Sequence, residues 1–173
     1  MNAPIKGLSY LHEALRLLAE KDSAKANEIG IVYAGKGTEQ LNPQISNFRY
    51  QISLGYITDS KQMATIYNAV DLFCISSLQE NLPNTIMEAK ASGVPTVGFD
   101  VGGIPQMIDH LHDGYLAKAK DAADLAKGIE WVLFEADSVD LAQRNRAAAV
   151  EQYSEARVAE KYLKLYQNLM GES

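Results

Sequence analysis

Two acidic side chains, Glu80 and Glu88, are the residues of this chain whose types and spacing best suit chemistry on a ligand. Seven residues separate them, and both follow the apolar run 71–77, which is typical of a buried strand. In an open α/β sheet, ligands bind at the carboxyl ends of the strands, which is where this segment begins. Because carboxylates accept hydrogen bonds from hydroxyls, the pair could hold two hydroxyl-rich groups. A phosphate would then lie between them at a helix N-terminus.

The residues between the two glutamates predict how each is presented. Pro83 forbids a continuous helix, so we expect Glu80 on a loop and Glu88 in the first turn of the next helix. The run 85–88 also fits a capping box, with Thr85 as the N-cap and Glu88 at the third helical position. Capping alone would explain Glu88 but not Glu80, a charged residue just beyond a buried strand. The two interpretations are compatible, because a capped helix N-terminus is what an anion needs.

The rest of the chain alternates helical and strand patterns that could position this segment. Periodicity predicts helices at about 7–21, 59–69, 85–92, 122–135, 139–151 and 155–169, and strands at about 29–34, 51–54, 72–76, 96–99 and 114–117. Short apolar strands separated by helices indicate a parallel sheet covered on both faces. The predicted fold is therefore a single α/β domain over residues 1–173, doubly wound and Rossmann-like.

Composition limits the classes of function. The 173 residues suffice for one domain with a sizeable core. The net charge of −6 and the lack of a basic stripe argue against nucleic acid as a partner. A single cysteine, Cys74, fits a buried thiol in a reducing compartment. Since no apolar stretch reaches the length of a transmembrane helix, we expect a cytoplasmic protein without a membrane span.

In order along the chain, these landmarks resemble the nucleotide-sugar-binding C-terminal half of retaining glycosyltransferases of family 4, which have the two-domain GT-B fold. The matching positions are Lys6-Gly7, Gly35-Lys-Gly37, Gly55-Tyr-Ile57, Asp71, Ser77, Glu80, Glu88-Ala89, Gly93-Val-Pro95, Gly102-Gly103 and Gly114. Each piece alone is weak, but the ordered set spans nearly the whole chain. The resemblance implies transfer of a hexose from a nucleoside-diphosphate sugar to a glycan or lipid-linked acceptor, in polysaccharide or capsule biosynthesis.

The resemblance also implies catalytic roles for two residues. Glu80 would receive hydroxyls of the donor hexose, while the backbone around Asn81 and Leu82 would line the sugar. Lys6 would neutralise the phosphate charge that grows as the leaving group departs, which is stabilisation specific to the transition state. The family uses no cofactor, and the resemblance implies no metal site.

The nucleotide would occupy the remaining donor-binding residues. Thr85 and the amides of the helix that it opens would hold the diphosphate. Glu88 would accept hydrogen bonds from the ribose hydroxyls as a bidentate carboxylate. Tyr56 and Ile57 would border the slot for the base.

The start of the chain departs from the family pattern. In the family a strand and an arginine precede Lys6-Gly7, whereas here only residues 1–5 do. We therefore expect the first central strand and the N-terminal acceptor domain to be missing, and the chain alone to be inactive. An exposed sheet edge favours pairing with a second copy, so a homodimer is expected.

Two alternatives stay open from the sequence. One is a non-catalytic or truncated nucleotide-sugar-binding domain that self-associates. The other is an epimerase on the same two-domain architecture, which the spacing of Glu80 and Glu88 fits less well. For the whole enzyme, a peripheral position on a membrane is compatible with the cytoplasmic expectation.

Overall fold

Parallel strands and helices alternate along the chain. The computed structural model describes residues 4–36, 38 and 48–171. Within that part the strands are β1 (Gly30–Tyr33), β2 (Tyr50–Ser53), β3 (Phe73–Ile75), β4 (Thr96–Phe99) and β5 (Gly114–Ala117). The α-helices are α1 (Leu8–Lys21), α2 (Ser23–Glu28), α3 (Ser60–Asn68), α4 (Asn84–Ala91), α5 (Ala122–Glu130), α6 (Ser138–Tyr153) and α7 (Glu155–Met170). Short 3₁₀ turns lie at Pro4–Lys6 and Ile104–Gln106, and a π-helical turn lies at Trp131–Glu135.

The strands form two parallel sheets rather than the one that was predicted. One sheet pairs β1 with β2, and the other has the order β3–β4–β5. Its register places Val97 opposite both Cys74 and Tyr115. The parallel α/β architecture is confirmed, but one edge of β1 and one edge of β3 have no strand partner within the described residues.

Helix α1 holds the two sheets together. Tyr10 packs edge-to-face against Phe99 of β4, with 5.8 Å between ring centroids. Two residues further along the helix, His12 contacts Tyr33 of β1, with 6.1 Å between ring centroids. One helix thus contacts a strand of each sheet, and residues of its apolar side share one core with residues of both sheets.

Helices cover the sheet β3–β4–β5 on both faces, as the apolar strands predicted. Val97 and Phe99 lie on the side covered by α1 and α5, in the main core. Ile75 lies on the opposite side, in a second core with Ile86 of α4 and residues of the 104–108 segment. Leu125 of α5 is fully buried in the main core, and burial of one such side chain contributes about 1.5–3 kcal/mol.

Two local features differ from the sequence prediction. Helix α2 was missed, and it begins where the Asp22 carboxylate accepts hydrogen bonds from the N–H groups of Ala24 and Lys25. The predicted helix 122–135 ends at Glu130 and continues as a π-helical turn. Gly37 lies outside the described residues. None of the helices in the described part of the chain is long and apolar enough to cross a bilayer.

Candidate functional site

The segment before α1 is attached to the carboxyl end of β3. The N–H of Leu78 donates to the Ile5 carbonyl at 2.7 Å, and Ser76 Oγ donates to the Lys6 carbonyl at 2.9 Å. Gly7 follows with a φ of +59°, and a Cβ there would lie 1.9 Å from the Ser76 carbonyl oxygen. Only glycine combines that backbone conformation with so close an approach. Lys6 is therefore held beside the loop that leaves β3.

Lys6 forms an ion pair with Glu80. Lys6 Nζ lies 2.5 Å from Glu80 Oε1, with 65% of the lysine side chain and 18% of the glutamate side chain exposed. Burial by itself raises the pKa of Glu80, but hydrogen bonds from Lys6 and Ser77 and the Lys6 charge outweigh it and lower the pKa below its ordinary value. Glu80 is thus an ionised hydrogen-bond acceptor at neutral pH, beside a cation that faces solvent.

Two glycines press against the loop that carries Glu80. The N–H of Gly103 donates to the Glu80 carbonyl at 3.1 Å. A Cβ on Gly103 would lie 1.6 Å from the Asn81 carbonyl oxygen, and one on Gly102 would lie 1.9 Å from the Glu80 carbonyl oxygen. These contacts allow no side chain at either glycine and set the path of the loop, on which Asn81 and Leu82 are exposed. Adjacent glycines after a strand predicted a turn, but not that the turn supports Glu80.

Helix α4 begins without a side-chain cap. It starts at Asn84 after Pro83, and no side chain accepts hydrogen bonds at that N-terminus among the described residues. The predicted capping box is therefore wrong: Thr85 is the second helical residue, and Glu88 is the fifth, in the second turn rather than the first. The reason is Pro83, whose φ of −70° and ψ of 118° suit the position just before a helix. The Ile86 N–H donates to the Pro83 carbonyl at 3.0 Å, and the N–H groups of Asn84 and Thr85 are left as donors that an anion can use.

Glu88 has a partner that the sequence analysis did not identify. Tyr67 Oη donates to Glu88 Oε2 at 3.2 Å. Tyr67 is buried in α3 whereas Glu88 is exposed in α4. Burial, the Glu88 charge and this hydrogen bond raise the pKa of Tyr67, so the hydroxyl keeps its proton. The helical pattern of 59–69 predicted only that Tyr67 lies on the buried side of its helix.

Tyr56 and Ile57 lie beyond the carboxyl end of β2. The Gly35 N–H at the end of β1 donates to the Gly55 carbonyl at 2.8 Å, which ties the two loops together. Tyr56 is exposed and Ile57 is half-buried. No hydrogen bond or ion pair joins either residue to Glu80 or Glu88 within the described residues.

The N-terminal part of α1 brings the two sheets' carboxyl ends to the same region. Lys6, just before α1, is bonded to Ser76 beyond β3, and His12 in α1 contacts Tyr33 at the end of β1. The structure therefore brings Lys6 and Glu80 into direct contact, and places the loop of Tyr56 at the neighbouring sheet's carboxyl end.

The chain matches known proteins over most of its length. A family model described as glycosyl transferases group 1 matches residues 1–135. The chain is 29% identical over 168 residues to the N,N'-diacetylbacillosaminyl-diphospho-undecaprenol alpha-1,3-N-acetylgalactosaminyltransferase of Campylobacter jejuni subsp. jejuni serotype O:2, covering 95% of this chain and 42% of that protein. It is 23% identical to a D-inositol 3-phosphate glycosyltransferase of Saccharomonospora viridis, covering 97% of this chain and 41% of that protein. The chain thus spans less than half the length of these relatives.

Solved structures show the same fold. Anabaena Alr3699/HepE in complex with UDP and glucose superposes with a TM-score of 0.75 at 19% identity, covering 96% of this chain and 46% of that one. The C-terminal domain of a glycosyl transferase group 1 family protein, LpcC, from Francisella tularensis superposes with a TM-score of 0.72 at 21% identity, covering 88% and 82%. The chain therefore shares its α/β fold with these two proteins, one of which is a C-terminal domain.

Proposed function

This chain belongs to the glycosyl transferases group 1 family, and we propose that residues 1–173 are the donor-binding half of a retaining, family-4 hexosyltransferase. The donor is a nucleoside-diphosphate sugar. The observation that carries the proposal is the ionised Glu80, paired with Lys6 and followed four residues later by the uncapped N-terminus of α4. An acceptor for sugar hydroxyls and donors for phosphate oxygens therefore lie on one short segment.

The sugar and the diphosphate are divided between the two parts of that segment. Glu80 accepts hydrogen bonds from hexose hydroxyls, beside the exposed backbone of Asn81 and Leu82. The N–H groups of Asn84 and Thr85 bind diphosphate oxygens, where the helix dipole favours negative charge. Lys6 is mostly exposed, so its ammonium group can turn from Glu80 toward the phosphate as charge develops on the leaving group.

Glu88 binds the ribose hydroxyls, and Tyr56 with Ile57 borders the base. Glu80 and Glu88 thus contact opposite ends of one donor, unlike the two carboxylates of a retaining glycosidase, which flank a single bond. Alr3699/HepE was solved with UDP and glucose, so UDP is the first nucleotide to test here.

The acceptor site lies in an N-terminal domain outside this chain. The support is the coverage of the relatives, which leaves more than half of their length unmatched. The name of the Campylobacter relative includes diphospho-undecaprenol, a lipid-linked group. For the enzyme that contains this chain, we propose a glycan or lipid-linked acceptor and a role in cytoplasmic polysaccharide or capsule biosynthesis. The isolated chain binds the donor without transferring the sugar.

The unpaired strand edges favour a second candidate function. One edge of β1 and one edge of β3 have no strand partner within the described residues, and exposed edges pair with other chains. A non-catalytic nucleotide-sugar-binding domain could use them to form a homodimer. Sedimentation at several protein concentrations distinguishes the two: a stable dimer without nucleotide favours this alternative, whereas a monomer that binds nucleotide favours the donor-binding half.

Calorimetric titration of the chain with UDP, GDP and ADP tests the donor site. We expect saturable binding of one nucleotide and at least tenfold weaker binding by Glu88→Ala, because the variant loses a charged acceptor for two hydroxyls. Glu151→Ala removes an exposed glutamate from α6 and serves as the control. Lack of saturable binding at millimolar nucleotide, or equal weakening by both variants, would contradict the donor site while leaving the family membership intact.

A further inference from the structure

We infer that Tyr67 is a positioning residue of the site, whose hydroxyl orients the Glu88 carboxylate toward the two neighbouring hydroxyls of a nucleotide ribose. The inference rests on the proposed function, in which Glu88 binds the ribose. It adds a residue from a different helix, with no contact of its own to the ligand.

The two side chains differ sharply in their freedom to move. Tyr67 is 3% exposed, and its ring packs edge-to-face against Phe73 of β3 with 5.8 Å between centroids. Ala89 and Val94 complete the same small core. Glu88 is exposed and has rotatable bonds that solvent leaves free. The 3.2 Å hydrogen bond therefore joins a mobile carboxylate to a rigid donor.

The hydrogen bond leaves the carboxylate able to bind a diol. Tyr67 donates to Oε2, whereas an ionised carboxylate offers about four acceptor positions over its two oxygens. Oε1 and the remaining lone pair of Oε2 can therefore each accept from one of two adjacent hydroxyls. Because burial and the Glu88 charge raise the pKa of Tyr67, the hydroxyl stays protonated and donating at neutral pH.

Orientation before binding lowers the entropy that the ligand must otherwise overcome. Without the Tyr67 hydroxyl, Glu88 would have to be ordered by the ribose itself. The expected effect is confined to ligands that carry the ribose hydroxyls. A tyrosine that served only the core would change the stability of the fold and the binding of all ligands alike.

The test compares ribose with dideoxyribose. Wild-type protein, Tyr67→Phe and Glu88→Ala are titrated calorimetrically with UDP and with 2′,3′-dideoxy-UDP, and the GDP and ADP pairs are run in parallel. We expect Tyr67→Phe to weaken UDP binding about fivefold to tenfold, the net size of one typical hydrogen bond, and to leave dideoxy-UDP unchanged. Glu88→Ala should show the same selectivity with a larger loss.

Tyr115→Phe is the matched control. Tyr115 Oη donates to Asp124 Oδ1 at 3.1 Å, so this variant removes the same kind of hydrogen bond from the pairing of β5 with α5. It should leave the affinity for UDP and for dideoxy-UDP unchanged. Thermal unfolding of both phenylalanine variants checks that the ring packing is retained.

The outcomes separate this inference from the proposed function. Ribose-selective loss in Glu88→Ala but not in Tyr67→Phe would overturn the positioning role and leave the ribose site standing. Equal losses for UDP and dideoxy-UDP in Glu88→Ala would overturn both. If Tyr67→Phe does not fold, the NMR signal of the Tyr67 hydroxyl proton in wild-type protein decides: a shift with UDP but not with dideoxy-UDP supports the role, and no shift with either overturns it.

Discussion

A buried ion pair behind the candidate site gives the sharpest stability prediction. Lys90 of α4 is 1% exposed and forms an ion pair with Asp113, which is also buried. The second carboxylate oxygen of Asp113 accepts the Asp109 N–H at 2.9 Å. Helix α4 also carries Thr85 and Glu88, so this pair ties the helix of the proposed diphosphate and ribose contacts to the turn before β5.

Replacing Lys90 with methionine keeps the length of the side chain and removes its charge. Asp113 is then left buried with its backbone donor alone, and breaking a buried pair in this way costs about 3–5 kcal/mol. For a chain of this size, that loss lowers the melting temperature by roughly 6–20 °C. Replacing both residues, as Lys90→Met with Asp113→Leu, removes the unpaired buried charge. We expect the double variant to lose less unfolding free energy than the two single variants lose in sum.

Urea unfolding and calorimetry of wild-type protein, Lys90→Met, Asp113→Leu and the double variant measure the coupling energy between Lys90 and Asp113. Lys164→Met is the control, because Lys164 pairs with Glu160 on exposed α7 with 70% of its side chain accessible, where such pairs contribute at most about 1 kcal/mol. The reasoning is refuted if Lys90→Met costs no more than Lys164→Met. It is equally refuted if the losses of the single variants add without coupling.

Three further predictions follow from local geometry. Gly103→Ala should destabilise the fold by about 1–3 kcal/mol and weaken nucleotide binding, because its Cβ would meet the Asn81 carbonyl oxygen; Gly171→Ala, where a Cβ meets nothing within 4 Å, should leave binding unchanged in the same titration. The lowered pKa of Glu80 means that its ionised form stabilises the folded state above the ordinary pKa of about 4.5. That contribution should be lost as the pH falls through the lowered pKa, and the stability of Glu80→Gln should lack this pH dependence. Acid-unfolding curves of Glu80→Gln and wild-type protein that run parallel would contradict this prediction. Burial raises the pKa of Cys74 to about 12 although its side chain is only half-buried, so iodoacetamide should react with the folded protein more slowly than with protein in urea, as followed by mass spectrometry.

Local pattern was enough to predict elements that are strongly apolar or clearly bounded. Strands 96–99 and 114–117 were predicted at their observed bounds, because residues before and after them favour turns. Helix α2 was missed, since its polar six-residue sequence has no apolar stripe and depends on the Asp22 cap. Thr85 was assigned as a cap from its spacing to Glu88, yet Pro83 starts the helix two residues earlier.

The sequence by itself determined the order and type of most elements and the loop position of Glu80, because each depends on nearby residues. Only the tertiary structure decided which side chains meet. Lys6 and Glu80 are 74 positions apart, and Tyr67 reaches Glu88 from another helix. Periodicity records which face of an element is buried, whereas the partner that it meets there depends on how helices and strands pack together.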